Sequence, residues 1–198
     1  MPQSPAIAIG QTVTCVPLGW QFYCASTPAL ITAAATPTDV FTISGSASGQ
    51  NLVVVTRILF DVAATAAGAQ LVQVVKRSTA NTGGTPTAIV GVARDDMNAQ
   101  GANVEAAQAL VQSYTANPAA LGTATPPLGG ILLTRNVTAG ALTAPGAGLD
   151  FHFSPSSMEN GIVLRSAADV LAINLAGVAG AGTVFGATVF WLERSANN

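Results

Sequence analysis

One histidine, two cysteines and nine acidic residues bound the chemistry open to this chain of 198 residues. In "DFHF", Asp150 and His152 stand two positions apart, so on an extended strand both side chains leave from one face. That spacing makes half of a metal site, and a Ser-His-Asp or Cys-His device would have to use His152. No third ligand lies nearby, so a hydrogen-bonded structural histidine is the preferred reading. Asp95 and Asp96 in "ARDDMN" are adjacent and point apart on extended chain, which suits a polar turn, or an interfacial or calcium contact, better than an acid-base pair. Glu105, Glu159 and Glu193 are isolated. Cys15 and Cys24 cannot build a four-ligand zinc site with a single histidine. They read as reduced thiols, with a disulfide closing a loop around Trp20 and Tyr23 as the alternative. No phosphate-binding loop, dinucleotide fingerprint or nucleophile elbow occurs, and "GSASG" from Gly45 to Gly49 puts alanine where an elbow needs serine. "NVT" at Asn136 is only a formal glycosylation sequon. The expectation is a protein without catalytic residues, cofactor or metal.

The aromatic side chains offer contact chemistry instead. "CVPLGWQFYC" places Trp20, Phe22 and Tyr23 together in a segment interrupted by Pro2, Pro5, Pro17, Pro28 and Pro37. Prolines at that density prevent a long helix and confine pairing to sheet edges. Residues 1–38 are therefore expected to form an extended N-terminal arm, with Trp20, Phe22 and Tyr23 as its partner-binding cluster, packed on the body or inserted into a partner. Trp20, Tyr23, Tyr114 and Trp191 could alternatively serve as sugar platforms of a carbohydrate-binding module. Only 6% of residues are aromatic, and two of these four lie in strands expected to face a core.

The elements that position these residues read as strands. The stretch from Val170 to Leu192 is long and uncharged enough to suggest a membrane helix of roughly 20 residues. Its pattern argues otherwise: Leu171, Ile173 and Leu175 alternate with Val170, Ala172 and Asn174, and β-branched and aromatic residues resume after Gly177, Gly180 and Gly182. A hairpin is expected there. Upstream, "DVFTISGS", "NLVVVTRILFDVA", "AQLVQVVKRS", "AIVGVA", "ILLTRNVT", "LDFHFSP" and "GIVLRS" carry strand signals between Gly- and Pro-rich breaks, and Gly83 and Gly84 mark a tight reversal. The Ala-rich piece from Asn98 to Asn117 fits a helical stripe, but its alternation favours a loop followed by a strand. About eight to ten short strands in residues 39–198 indicate an all-β, antiparallel β-sandwich body, jelly-roll-like. No fixed-period repeat supports a propeller or solenoid.

Composition narrows the partners. Charged residues make up 8% of the chain, against about 25% in ordinary globular proteins. Low charge suits a surface covered by neighbours in an assembly, since little repulsion keeps copies apart. The net charge of −2 leaves no basic stripe for nucleic acid, Lys76 and Arg77 being the sole adjacent basic pair. The N-terminus has no positive region followed by an apolar core, so cytosolic synthesis is expected.

"VVKRSTANTGGTPTAIVGVARDDMNAQ" from Val74 to Gln100, "VQSYTANPAALGT" from Val111 to Thr123 and "GIVLRSAADVLAINLAG" from Gly161 to Gly177 resemble a group of tailed-bacteriophage virion proteins. The resemblance spans about Asp39 to Glu193 and leaves out the N-terminal segment. It implies a β-sandwich body and a structural role in the particle, with no catalytic residue to carry over. The expected role is a head decoration or cement protein, made in the bacterial cytoplasm and resident in the virion. Its expected partners are the major capsid protein or other virion proteins, and further copies of itself, a trimer suiting a capsid three-fold. A tail, collar or fibre-base component is the alternative.

Overall fold

The β-branched runs form the centres of two antiparallel sheets in the computed structural model, which describes residues 20–29, 31–32, 38–48, 51–63, 68–94, 106–135, 147–153, 161–176 and 184–194. The strands are β1 (Trp20–Ser26), β2 (Ile31–Thr32), β3 (Thr38–Ser44), β4 (Leu52–Ala63), β5 (Gly68–Arg77), β6 (Pro86–Ile89) and β7 (Val92–Ala93). They continue with β8 (Leu110–Tyr114), β9 (Gly129–Arg135), β10 (Ala147–His152), β11 (Ile162–Leu164), β12 (Val170–Ala176) and β13 (Val184–Arg194). One sheet runs β10-β4-β13-β1-β7, with β11 also on β4 and β2 also on β13; the other runs β6-β8-β3-β12-β5-β9. The chain is an all-β, antiparallel two-sheet sandwich, as its alternating sequence requires. No helix among the described residues is long and apolar enough to cross a membrane.

The core fills the space between the sheets. Trp191, Tyr23, Phe60 and Phe185 from the seven-stranded sheet meet Phe41, Ile43, Leu171, Ile173 and Leu175 from the six-stranded one. Tyr23 stacks on Trp191 with ring centroids 5.7 Å apart, and Phe60 on Phe185 at 5.6 Å, near the separation at which aromatic pairs attract. On β13 the inward residues Phe185, Ala187, Val189 and Trp191 are buried, while Val184, Gly186, Thr188 and Phe190 between them are half-exposed. A register shift after Phe190 then changes the pattern.

Two expectations change. The segment from Asp169 to Arg194 does form two strands, but they are not a hairpin. β12 pairs with β3 and β5, whereas β13 pairs with β4, β1 and β2 in the opposite sheet. Both are interior strands with two paired edges, so each finds its partners far away in sequence. The supposed arm also contributes to the body. β1 lies between β13 and β7, with Trp20 opposite Arg194 and Ser26 opposite Thr188. Residues 1–19, including Cys15, lie outside the described residues, as do Asp95, Asp96, Glu105, Asn136 and Glu159. β8 follows an irregular stretch at residues 106–109, in keeping with the loop and strand expected there.

Candidate functional site

Between β5 and β9 the chain carries an insertion, residues 78–128, that adds β6 and β8 to one edge of the six-stranded sheet and β7 to an edge of the seven-stranded one. It first runs as a loop, then forms β6 along β8, crosses to the other sheet as β7 beside β1, and comes back as β8 beside β3. This path stitches together one side of the sandwich.

A buried ionic knot holds the insertion down. Asp39, at the start of β3, is fully buried, and its carboxylate accepts from Arg77 at the end of β5 through Nε at 2.5 Å and Nη2 at 2.6 Å. It also accepts from Asn81 Nδ2 and Asn174 Nδ2, each at 2.8 Å. A register shift between Ile173 and Asn174 sets Asn174 directly across from Asp39. Arg77 spends Nη1 on the Gly122 carbonyl at 2.7 Å, and Asn81 Oδ1 accepts the Gly122 N–H at 2.9 Å. Every partner is charged or strongly polar, which is the condition for burying a carboxylate and guanidinium together. With both oxygens occupied by donors, Asp39 is a structural anchor rather than a general base.

The knot ties the "KRSTANTGGT" loop to the "YTANPAALGT" loop. Ser78 N–H donates to the Thr123 carbonyl at 2.9 Å, Thr82 and Ala120 exchange two backbone bonds, and Thr123 N–H donates to Thr79 Oγ1 at 2.8 Å. Gly122 is required for this approach, since a Cβ there would stand 1.8 Å from the Thr79 carbonyl oxygen. Gly83 and Gly84 adopt φ of 69° and 79°, the left-handed region that favours glycine. The residues of these two stretches thus serve to interlock two loops.

A second buried carboxylate fixes the approach to β8. Glu193 accepts the backbone N–H groups of Gln108 and Ala109 at 2.9–3.0 Å and the Trp191 indole N–H at 2.7 Å. Beneath the insertion, the outer-face residues Val75, Tyr114, Val170 and Ala172 are buried although they lie outside the central cluster. Burial pushes the Tyr114 phenol above its ordinary pKa, against hydrogen bonds with Thr42 and Asn81. A cleft of about 210 Å³ remains, lined by Thr42, Ser44, Asn81, Leu110, Gln112 and Tyr114 among others.

Apolar exposure is concentrated on this insertion. Among the residues whose side chains are described, the large hydrophobic ones left exposed are Val90, Val92, Leu110, Leu121 and Leu128, and all five belong to it. Val90 is the most exposed at 81%. No charged residue occurs from Ser78 to Ala93 or from Ala106 to Leu128.

The outer face of the seven-stranded sheet differs. A cross-strand row runs His152, Arg57, Phe190, Cys24 and Val92. Arg57 makes a two-point pair with Asp150 at 2.9 and 2.6 Å, and the guanidinium groups of Arg57 and Arg94 sit 5.9 and 5.2 Å from the Phe190 ring centre. The Arg57 partner holds the Asp150 carboxyl below its usual pKa. Asp150 and His152 share a face as expected, but Asp150 is occupied by Arg57. No group of three or more His, Cys, Asp and Glu suited to a metal occurs among the described residues.

The expected contact residues divide along the strand period. Trp20 and Phe22 are half-buried and share one face of β1, while Tyr23 points into the core at 2% exposure. Of the four sugar platforms considered, Tyr23, Trp191 and Tyr114 are buried, which leaves Trp20. Sequence reasoning missed Asp39, Arg77, Asn81, Asn174 and Glu193. For Asp39, Arg77, Asn174 and Glu193 the available signal was a charge or amide on an apolar strand of a chain with few charges; Asn81, in a polar loop, carried none. Comparison with known proteins yields no match to a family model, a curated protein or a solved structure.

Proposed function

We propose that the protein is a structural component of a bacteriophage virion, acting as a capsid decoration or cement protein through protein-protein contacts. The observation that carries this reading is the insertion, whose stretches 78–93 and 106–128 carry no charge, which gathers the exposed apolar side chains and is clamped to the sandwich by buried charge-assisted hydrogen bonds from Arg77 and to Asp39 and Glu193. Apolar surface held in fixed geometry favours association, because little ordering entropy is lost on contact. Few ions need desolvation when such a surface is covered. Those features belong to a contact protein rather than to an enzyme.

The strand order supports the same reading. With the insertion strands β6, β7 and β8 set aside, β10 and β11 taken as one interrupted strand on β4, and β1 and β2 as one on β13, the sheets reduce to β10-β4-β13-β1 and β3-β12-β5-β9. The chain changes sheet at each step among these eight strands except from β5 to β9, the alternation of a jelly roll, an architecture common in viral capsid proteins. Fold alone does not assign function, so the clamped insertion remains the principal argument. The partners in this reading are the major capsid protein or other virion proteins and further copies of the chain. Synthesis is in the bacterial cytoplasm, and neither nucleic acid nor membrane is a partner.

The test is immunogold electron microscopy on particles of the phage that encodes the chain, with antibody raised against the whole protein. Gold spread over the head is the expected result. Gold confined to tail or neck would replace decoration by a tail, collar or fibre-base role, and unlabelled particles would sink the virion reading.

A further inference from the structure

Where β8 joins β3, the two-residue period gathers neutral polar side chains on the outer face of the six-stranded sheet. Thr42 lies opposite Gln112 and Ser44 opposite Leu110, and Tyr114 continues the same face of β8. Val170 of β12 extends this floor on the other side of Ser44. Ala47, Ala80, Asn81 and Ala167, from three loops, complete the wall of the cleft of about 210 Å³. That volume lies below the roughly 300–1,000 Å³ of pockets for drug-sized ligands. It suits one small ring.

The polar groups of the floor are incompletely used. Ser44 is 7% exposed, yet among the described residues its hydroxyl makes only a 3.4 Å contact, with the carbonyl of its neighbour Gly45, which is long for a hydroxyl donor. The half-buried Gln112 amide forms no hydrogen bond among the described residues. Buried polar groups short of partners favour a ligand that supplies them. A hydroxyl and an amide each both donate and accept, so the group that satisfies either is one that does both, as a ligand hydroxyl does. The Tyr114 phenol is the sole ionisable group of the lining, so a charged ligand would lose hydration without gaining a counter-charge. We propose that this cleft binds a single neutral sugar ring, its hydroxyls bonded by Ser44 and Gln112 and its C–H face laid against Leu110 and Val170. Tyr114 is buried, so hydroxyl and amide contacts take the place of an aromatic platform. The site goes beyond the structural role in a virion and does not rest on it.

Titration of the isotope-labelled full chain with the methyl glycosides of glucose, galactose, mannose and N-acetylglucosamine, followed by amide chemical shifts, tests it. At least one sugar is expected to move the signals of Ser44, Leu110 and Gln112 saturably, with a dissociation constant in the millimolar range. N-acetylneuraminic acid, which carries a carboxylate, should leave them in place. Gln112→Leu and Ser44→Ala should each weaken binding about tenfold or more while the far-ultraviolet circular dichroism stays unchanged. Leu128→Ala, beside β9 at the opposite edge of the same sheet, should bind as the wild type does. The proposal is overturned by a cleft that answers to none of the four sugars and so holds water only, by shifts scattered over the surface, by binding that survives both cleft substitutions, or by an equal response to the charged sugar. Gold on virions with no sugar binding would reject this site while keeping the virion role.

Discussion

The two outer faces of the sandwich each carry a two-point Asp–Arg pair of nearly the same geometry, and the pairs serve different ends. Asp39 and Arg77 are 0% and 5% exposed at the side chain, whereas Asp150 and Arg57 are 46% and 40% exposed. The first pair lies under the insertion with Asn81, Asn174 and the Gly122 carbonyl as further partners. The second lies at the open rim of the seven-stranded sheet. Burial changes the consequence of losing a partner: a charge left unpaired in the interior has nowhere to recruit water, while one at the rim is resolvated. One pair therefore holds tertiary structure, and the other decorates a strand pair already held by its ladder.

The largest break in that contrast is expected from Arg77→Ala. It strands the Asp39 carboxylate and should cost about 3–5 kcal/mol in chemical denaturation. A loss no larger than that of an ordinary surface substitution would mean that the knot does not anchor the insertion.

Gly122→Ala should come next, at about 1–3 kcal/mol, because its Cβ must displace the Thr79 carbonyl and pry the two loops apart. Limited proteolysis should then cut between Ser78 and Thr85 faster than in the wild type, and unchanged cleavage would argue that the loops are not interdependent.

A smaller effect belongs to Tyr114 under the same cover. Its folded pKa is raised, so its contribution is intact below the ordinary phenol value of 10.0 and is lost as pH rises through the higher folded value. Stability should fall above about pH 10, and Tyr114→Phe should flatten that part of the profile. A fall of the same slope in the variant would assign it to another group.

Asp150→Asn should do least. The Asp150 pKa is depressed, so its contribution is present above the ordinary carboxylate range and fades as pH falls through the lower folded value. Solvent screens this pair, and the expected melting temperature is unchanged within measurement. A clear drop would place the rim pair beside the buried one and erase the contrast.

The readable part of the fold was the strand content. "NLVVVTRILFDVA" could hardly be anything but β4, and the glycine pair at Gly83 and Gly84 marked the turn it makes. The pairing was less legible, as β12 and β13 demonstrate: proximity in sequence suggested a hairpin, yet each strand is interior to a different sheet. Trp20, Phe22 and Tyr23 looked like one cluster because their side chains were counted together. The two-residue period then sends Tyr23 inward and leaves the others on the opposite face.

By itself the sequence determined the all-β class, the low charge and the single histidine, since side-chain period and composition are local properties of the chain. Tertiary structure alone decided which strands pair and which charges are buried. Asp39 meets Arg77 across 38 positions and Asn174 across 135, and neither spacing has any periodic signature. Desolvation arises only when distant segments close over one point, so a carboxylate that looks ordinary in the sequence becomes the anchor of the insertion.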